Sequence, residues 1–232
     1  MNRTLTNAIR FVMDEMLPPI IRDSKWFMYP FFYIWFKGKN IKEIMEFKSN
    51  VYDMTPEQFS DFYKRRDSLA KDRPTDLSEV SIKYMLARLD TSAKTLMDVG
   101  CGNGYFLHKV ALLQKFELIG CDIVNNVTYK EIRYVEGNIE ALPFPDKSVD
   151  IVTAHHTLEH VINLEQSIRE LKRVARKQII VVVPCQKYYY YTLDEHIRFF
   201  PYPALLTSAM NLPKFTCEKI WGDLVYIADV SK

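Results

Sequence analysis

The chain has 232 residues, 48% of them hydrophobic and 26% charged, with a formal net charge of +2. That length carries one domain with a proper core, and that charge gives no general reason to expect nucleic acid as a partner. The four cysteines, Cys101, Cys121, Cys185 and Cys217, form no C-x-x-C pair, which argues against a metal site of the zinc type and for reduced, space-filling thiols in a cytoplasmic protein.

The first residues hold no long apolar core, so no secretory signal is expected. Ile9, Val12, Met13 and Met16 recur at helical spacing, and Pro18-Pro19 end that helix. An aromatic run follows from Trp26 to Phe36, broken by Pro30 and flanked by Lys25, Lys37, Lys39 and Lys42. It is too short to span a bilayer, which takes about 20 apolar residues. Two readings stay open. The run packs against the main domain or across a homodimer interface, or it makes a peripheral contact at the inner membrane face, where Trp, Tyr and Lys gather.

Thr55-Pro56 predicts a helix start, with Thr55 as cap and Phe59, Phe62 and Tyr63 on one face. A small basic cluster sits at Lys64-Arg65-Arg66, and no RNA or DNA module signature appears. The stretch from Asp72 to Asp76 is the best boundary, which divides the chain into a helical extension or lid, 1–76, and a main domain, 77–232. Ser78 to Leu89 reads as the helix leading into the first strand.

Thr95 to Val99 is a short apolar run that breaks into Gly100, Gly102 and Gly104. Such a pattern is a buried strand entering a tight turn. Phe106, Leu107, Val110 and Leu113 then predict a helix whose first N–H groups point at a ligand. The third glycine comes one residue too early for the dinucleotide fingerprint, and the Gly-Lys-Ser/Thr of the P-loop is absent. Leu118 to Asp122 reads as a second buried strand ending in an acid, which suits bonding to two ribose hydroxyls.

Ile132 to Glu136 predicts a third strand, and Gly137-Asn138 is also a common turn pair. Asp150 to Ala154 is a fourth, giving way to His155-His156-Thr157-Leu158-Glu159-His160. These residues stand at the carboxyl edge of the sheet, where open α/β folds bind ligands. His156 and His160 are spaced to share a helical face, but they lack a third metal ligand and the H-E-x-x-H order. Leu164 to Val174 predicts an amphipathic helix and Lys177 to Val183 a fifth strand ended by Pro184. The loop after it carries Tyr188 to Tyr191, which either lines an acceptor pocket or packs on itself. It also carries Asp194-Glu195-His196. Lys214 to Trp221 and Asp223 to Val230 close the chain as a hairpin. Histidine suits proton removal near neutral pH. His196, oriented by Glu195 or Asp194, and then His156 are the candidate catalytic bases.

Asp98-Val99-Gly100-Cys101-Gly102-Asn103-Gly104, followed by Val149-Asp150-Ile151-Val152 and Leu158-Glu159-His160-Val161, resembles the ordered motifs of class I S-adenosylmethionine-dependent methyltransferases. The resemblance covers roughly Ser81 to Lys232. It implies an α/β fold: a seven-stranded, Rossmann-like, mostly parallel sheet with helices on both faces and an antiparallel last strand, here preceded by the aromatic-rich helical extension. It implies S-adenosylmethionine as cofactor, held by Asp98, Gly100, Cys101, Gly102, Asn103 and Asp122, with Asn138 and Ile139 at the adenine and His155 at the strand end. The aromatic extension, the His/Tyr loop and a similarity to methyltransferases of surface-polysaccharide pathways point to O-methylation of a small or carrier-linked acceptor, such as a lipid-linked sugar or glycan intermediate, as the expected reaction. A lipid, quinone or aromatic metabolite is the alternative within the enzyme class, and a non-catalytic cofactor-binding or interaction module is the alternative outside it.

Overall fold

The computed structural model describes residues 8, 9, 11–65, 74–113 and 115–231, and the side chains of 56, 64 and 65 are set aside. The cluster Lys64-Arg65-Arg66 and the boundary residues Asp72 and Arg73 therefore fall outside the described residues or side chains.

Seven strands form one sheet: β1 Thr95–Val99, β2 Glu117–Asp122, β3 Ile132–Glu136, β4 Val149–His155, β5 Ala175–Pro184, β6 Phe215–Ile220 and β7 Asp223–Asp229. Their order is β3-β2-β1-β4-β5-β7-β6. The first five run parallel, and β7 lies antiparallel to both β5 and β6. The strand order reverses between β1 and β4, so the crevice for a ligand opens beyond the ends of those two strands.

Alternate residues of each central strand feed opposite faces. Met97, Val99, Val152 and Ala154 pack on one side with Leu171 and Val174, and Leu96, Ile151, Ile180 and Val182 pack on the other with Ile82 and Leu107. Both faces are thus covered, as a mostly parallel sheet requires.

Nine helices of α type are described: α1 Pro19–Arg22, α2 Lys25–Trp35, α3 Ile41–Met45, α4 Phe47–Asn50, α5 Pro56–Arg65, α6 Glu79–Leu86, α7 Tyr105–Ala111, α8 Leu164–Val174 and α9 Pro203–Met210. A π-helical turn, Val12–Met16, precedes them and stops before Pro18. The start of α5 is a capping box. Thr55 Oγ1 accepts from Gln58 N at 3.3 Å, and Gln58 Oε1 accepts from Thr55 N at 2.9 Å. Helix α7 ends before Leu113, which is 66% exposed and off the packed face that the spacing predicted for it.

The aromatic run is α2, and most of it is exposed within the single chain. Only Met28 and Phe32 are buried along it. Phe32 joins Ile41, Ile44 and Met45 in a small cluster of its own and meets the Tyr191 ring edge-on, with centroids 6.4 Å apart. This cluster is separate from the two that cover the sheet. Phe32→Ala should therefore raise amide hydrogen exchange across residues 19–50 while β1, β4 and β5 keep their protection. Equal loss of protection in the strands would show that extension and sheet unfold as one unit.

Candidate functional site

The turn after β1 is held from its neighbour strand. Gly100 N donates to Cys121 O at 2.7 Å, and Gly102 N donates to Asp122 Oδ2 at 2.8 Å. Gly102 has φ +53 and nothing within 4 Å of where a Cβ would stand, so the backbone there borders open space. At Gly100, with φ +72, a side chain would collide with the Thr157 hydroxyl, which bonds Val99 O and His155 O. Asn103 Oδ1 accepts from Tyr105 N at 3.0 Å and closes the turn into α7.

A cavity of about 460 Å³ lies against this turn, within the size range of small-molecule sites. Asp98, Gly100, Cys101, Gly102, Asn103, His155 and His156 line it, as do Thr75, Asp76, Leu77, Tyr105, Phe106 and Asn126. The second group escaped sequence reasoning. Tyr105 and Phe106 carried a signal, since the first turn of a helix after a glycine loop faces the same ligand. Asn126 and the segment 74–77 carried none. A second cavity of about 350 Å³ is lined by Ile123, Gly137 and Asn138 together with Glu57, Ser60 and Asp61 of α5. Asp122 connects the two, because its partner Gly102 borders the first and its neighbour Ile123 borders the second. Ile139 lines neither. It turns into the core, 8% exposed, and Ile123 supplies the apolar wall instead.

Asp98 is buried and accepts from Thr153 Oγ1 at 2.7 Å. His155 Nδ1 lies 3.1 Å from Asp98 Oδ1, out of hydrogen-bond alignment, and its ring meets Phe106 edge-on at 4.4 Å. Neither His155 nitrogen has a hydrogen-bond partner among the described residues. Burial raises Asp122, against the pull of its backbone hydrogen bonds from Gly102, Val124 and Ile123. Burial also pushes the Cys121 thiol up to about 12 and raises Cys101 further, so both stay protonated and unreactive.

The histidines do not fit the base role assigned to them. His156 stands at φ +50, and its Nδ1 is 3.2 Å from Glu159 Oε1 and its Nε2 3.7 Å from Asp223 Oδ1. Burial opposes its charge, but Asp223 and Glu159 outweigh burial and hold its pKa up to about 10. His156 is therefore an imidazolium already carrying its proton, and it cannot accept another. His196 is buried at 6% exposure and lines neither cavity. Its Nδ1 bonds Gln186 Oε1 at 2.8 Å, and its ring stacks edge-on against His160 at 4.9 Å. Asp194 lies 3.5 Å from the same nitrogen. Burial and the charge of His196 push His160 down to about 4. Glu159, His160 and His196 bring one ligand atom each to within 4.8 Å of one another, so the metal-capable group here excludes His156. Tyr63 Oη at 3.1 Å from His160 Nδ1 and the Gln186 amide already engage two of the ring nitrogens.

The four tyrosines Tyr188 to Tyr191 line neither cavity. The extension holds them instead. Arg22 donates to Tyr188 O, Lys48 to Tyr189 O, and Asp23 accepts from Tyr190 N at 2.7 Å. Tyr189 Oη donates to Asp14 at 2.7 Å.

The state of His156 has a pH signature. Its folded pKa lies above the ordinary value of about 6.5. Its ion pairs therefore stabilise the fold fully below pH about 6.5, and that contribution fades as pH rises through about 10. Denaturant titrations of wild type and His156→Gln should diverge at neutral pH and converge above pH about 10. A His156 ring that titrates near neutrality by NMR would overturn the assignment.

The residues present fit S-adenosylmethionine. The gap beside Gly102 accepts a ligand against the main chain, and His155, whose buried ring nitrogens have no hydrogen-bond partner among the described residues, lines the same cavity. Asp122 retains acceptor capacity beyond the backbone amides it bonds.

Comparison with known proteins agrees. A methyltransferase domain family matches residues 97–183. A protein of Mycobacterium tuberculosis named a probable S-adenosylmethionine-dependent methyltransferase is 28% identical over 98 residues, which is 40% of this chain and 35% of that one. The ubiquinone/menaquinone biosynthesis C-methyltransferase of Hahella chejuensis is 47% identical over 45 residues, 19% of this chain and 18% of its own. The chain thus spans about a third or less of the length of these two relatives. Among solved structures, an S-adenosylmethionine-dependent methyltransferase of Aquifex aeolicus shares the fold, with a TM-score of 0.52 and 16% identity over 76% of this chain and 99% of that one. Residues 97–183 thus match a methyltransferase domain, and the glycine turn pinned by Asp122 and the strand order agree with the class I S-adenosylmethionine-dependent methyltransferase fold.

Proposed function

We propose that this chain transfers a methyl group from S-adenosylmethionine to a hydroxyl of a small or carrier-linked acceptor, with a sugar or glycan intermediate as the preferred class. The observation that carries this reading is the set of polar groups on the wall of the first cavity, where Thr75, Asp76, Tyr105 and Asn126 join the glycine turn beside apolar Leu77 and Phe106. A polyhydroxyl acceptor needs several convergent polar groups, whereas a quinone ring needs an apolar slot.

When bound, the cofactor supplies an electrophilic methyl carbon on a sulfonium. The chain's own residues bind and position. Asp122 fixes the turn through Gly102 N and accepts from hydroxyls. His155, wedged against Phe106, shapes the wall at the end of β4. Neither His156 nor His196 removes the acceptor's proton in this reading, the first because it is already charged and the second because it is off the wall. Asp76 is the carboxylate on the wall assigned to hydrogen-bond the acceptor hydroxyl, whose proton leaves to solvent on methylation. Positioning alone supplies much of the rate in such an in-line transfer.

Calorimetry should show binding of S-adenosylmethionine and its demethylated product, and none of NAD. Asp122→Ala should weaken cofactor binding by about 1.5–3 kcal/mol, because it releases the Gly102 amide along with the ligand's hydroxyls. Unchanged affinity would remove Asp122 from the site. Asp76→Ala should raise the acceptor KM about tenfold and leave cofactor affinity nearly intact, one hydrogen bond to a charged group being lost. A parallel fall in cofactor affinity would move Asp76 to the cofactor side.

The acceptor itself is found with isotopically labelled cofactor in cytoplasmic extract, with products identified by mass. A labelled quinone would select the competing reading that the Hahella relative's name suggests. Cofactor binding without any labelled product would select the non-catalytic module.

A further inference from the structure

Helix α2 is apolar around its whole circumference, yet the fold covers one side of it. Trp26 is 74% exposed and Ile34 75%, and Tyr29, Phe31 and Tyr33 are each about half exposed. A helix that is hydrophobic all round belongs in an apolar surrounding, and exposed patches of this kind mark an interaction surface. Ile20 of the preceding α1, 83% exposed, adds to it.

We propose that this face of α2 docks on an anionic lipid surface, with the helix lying in the plane of the headgroups. Charge selects the occupant. Residues 25–42 hold Lys25, Lys37, Lys39 and Lys42 and no acid; Lys25 pairs with Glu46 at 3.8 Å, which leaves three lysines, Lys37, Lys39 and Lys42, for the outward face. The three lysines that follow the helix are exposed. A second copy of the chain would bring the same lysines against one another, whereas anionic headgroups neutralise them. The aromatic types agree, since Trp and Tyr settle at the boundary between headgroups and acyl chains. Length fixes the mode. Eleven residues rise about 16 Å, and the hydrocarbon core is about 30 Å thick, so α2 lies on a bilayer rather than through it. None of the described helices is long and apolar enough to cross a membrane.

The test is flotation of the full chain with vesicles of phosphatidylcholine alone and of phosphatidylcholine mixed with phosphatidylglycerol. The protein should float with the anionic vesicles at least about tenfold more strongly than with the neutral ones, and molar salt should weaken the binding. Trp26→Ser combined with Ile34→Ser should reduce binding about tenfold or more. Lys37→Glu, Lys39→Glu and Lys42→Glu together should abolish the preference for anionic lipid. All these side chains are exposed, so circular dichroism and melting temperature should match wild type. In wild type, brominated lipid should quench tryptophan emission, and it should do so less in Trp26→Phe. This measurement needs no surface-destabilising variant. Absence of flotation overturns the proposal. So does a wild-type dimer that becomes monomeric in the Trp26→Ser, Ile34→Ser variant, which assigns the face to a second copy.

Discussion

One hydrogen bond organises the site: Gly102 N to Asp122 Oδ2, at 2.8 Å. It ties the turn after β1 to the end of β2, and the backbone pair Gly100 N to Cys121 O ties the same two points again. The turn needs positive φ at Gly100 and Gly102, so it has little intrinsic preference for one shape. The acid selects the shape that leaves the Gly102 face open. Burying that carboxylate costs desolvation, which raises Asp122, and the backbone donors offset the cost.

A second electrostatic arrangement sits one strand away. Asp223 begins β7 and is fully buried, and Glu159 follows β4 and is nearly so. Two buried acids without a cation would be untenable. His156 is that cation, held at positive φ between them. The antiparallel hairpin is therefore joined to the ligand edge by charge as well as by the β5–β7 ladder, and the histidine at the most inviting position for chemistry has a structural occupation. Glu159 also turns toward His196, with its Oε1 4.0 Å from Nε2, while its own carbonyl accepts from Ile197 N and Arg198 N. The loop after β5 is thereby folded back onto the end of β4.

Strands were legible because each is a short apolar run with a hard stop. Thr95–Val99 ends in glycine, Ile132–Glu136 ends in Gly137, and Leu118–Asp122 gained only Glu117 in the structure. The glycine turn and Asp122 were legible for the same local reason. Side-chain destinations were not. Ile139 follows Asn138 directly yet turns inward, and only the bridge between Asn138 and Ala141 shows why the chain reverses there. His196 looked catalytic by its acidic neighbours in sequence, but its partners in space are Gln186 and His160. Helix α9 is not among the elements expected from the sequence, although Pro203 opens it and Leu206 and Met210 share its buried face, because its eight residues carry no polar alternation to mark a helical period. The exposure of α2 was illegible in principle, since an all-apolar run does not say how much of it will find a neighbour.

The two faces of α2 have different duties, and that gives the extension its logic. The inward face, through Phe32, touches Tyr191 of the loop after β5. The segments on either side reach the same loop: Asp14, Arg22 and Asp23 from before the helix, and Lys48 from after it. Lys48 is the telling contrast with the outward lysines. Its ammonium lies 4.2 Å from the centre of the Phe199 ring, and burial, against the pull of Asp194 and Asp23, lowers it to about 7. A lysine so desolvated is spent on packing, whereas Lys37, Lys39 and Lys42 stand exposed at the surface. The extension thus grips the loop that overhangs the carboxyl edge of the sheet with buried polar contacts and presents apolar and cationic groups outward. Whatever the outward face meets is separated from that loop by the width of a single helix, about 10 Å.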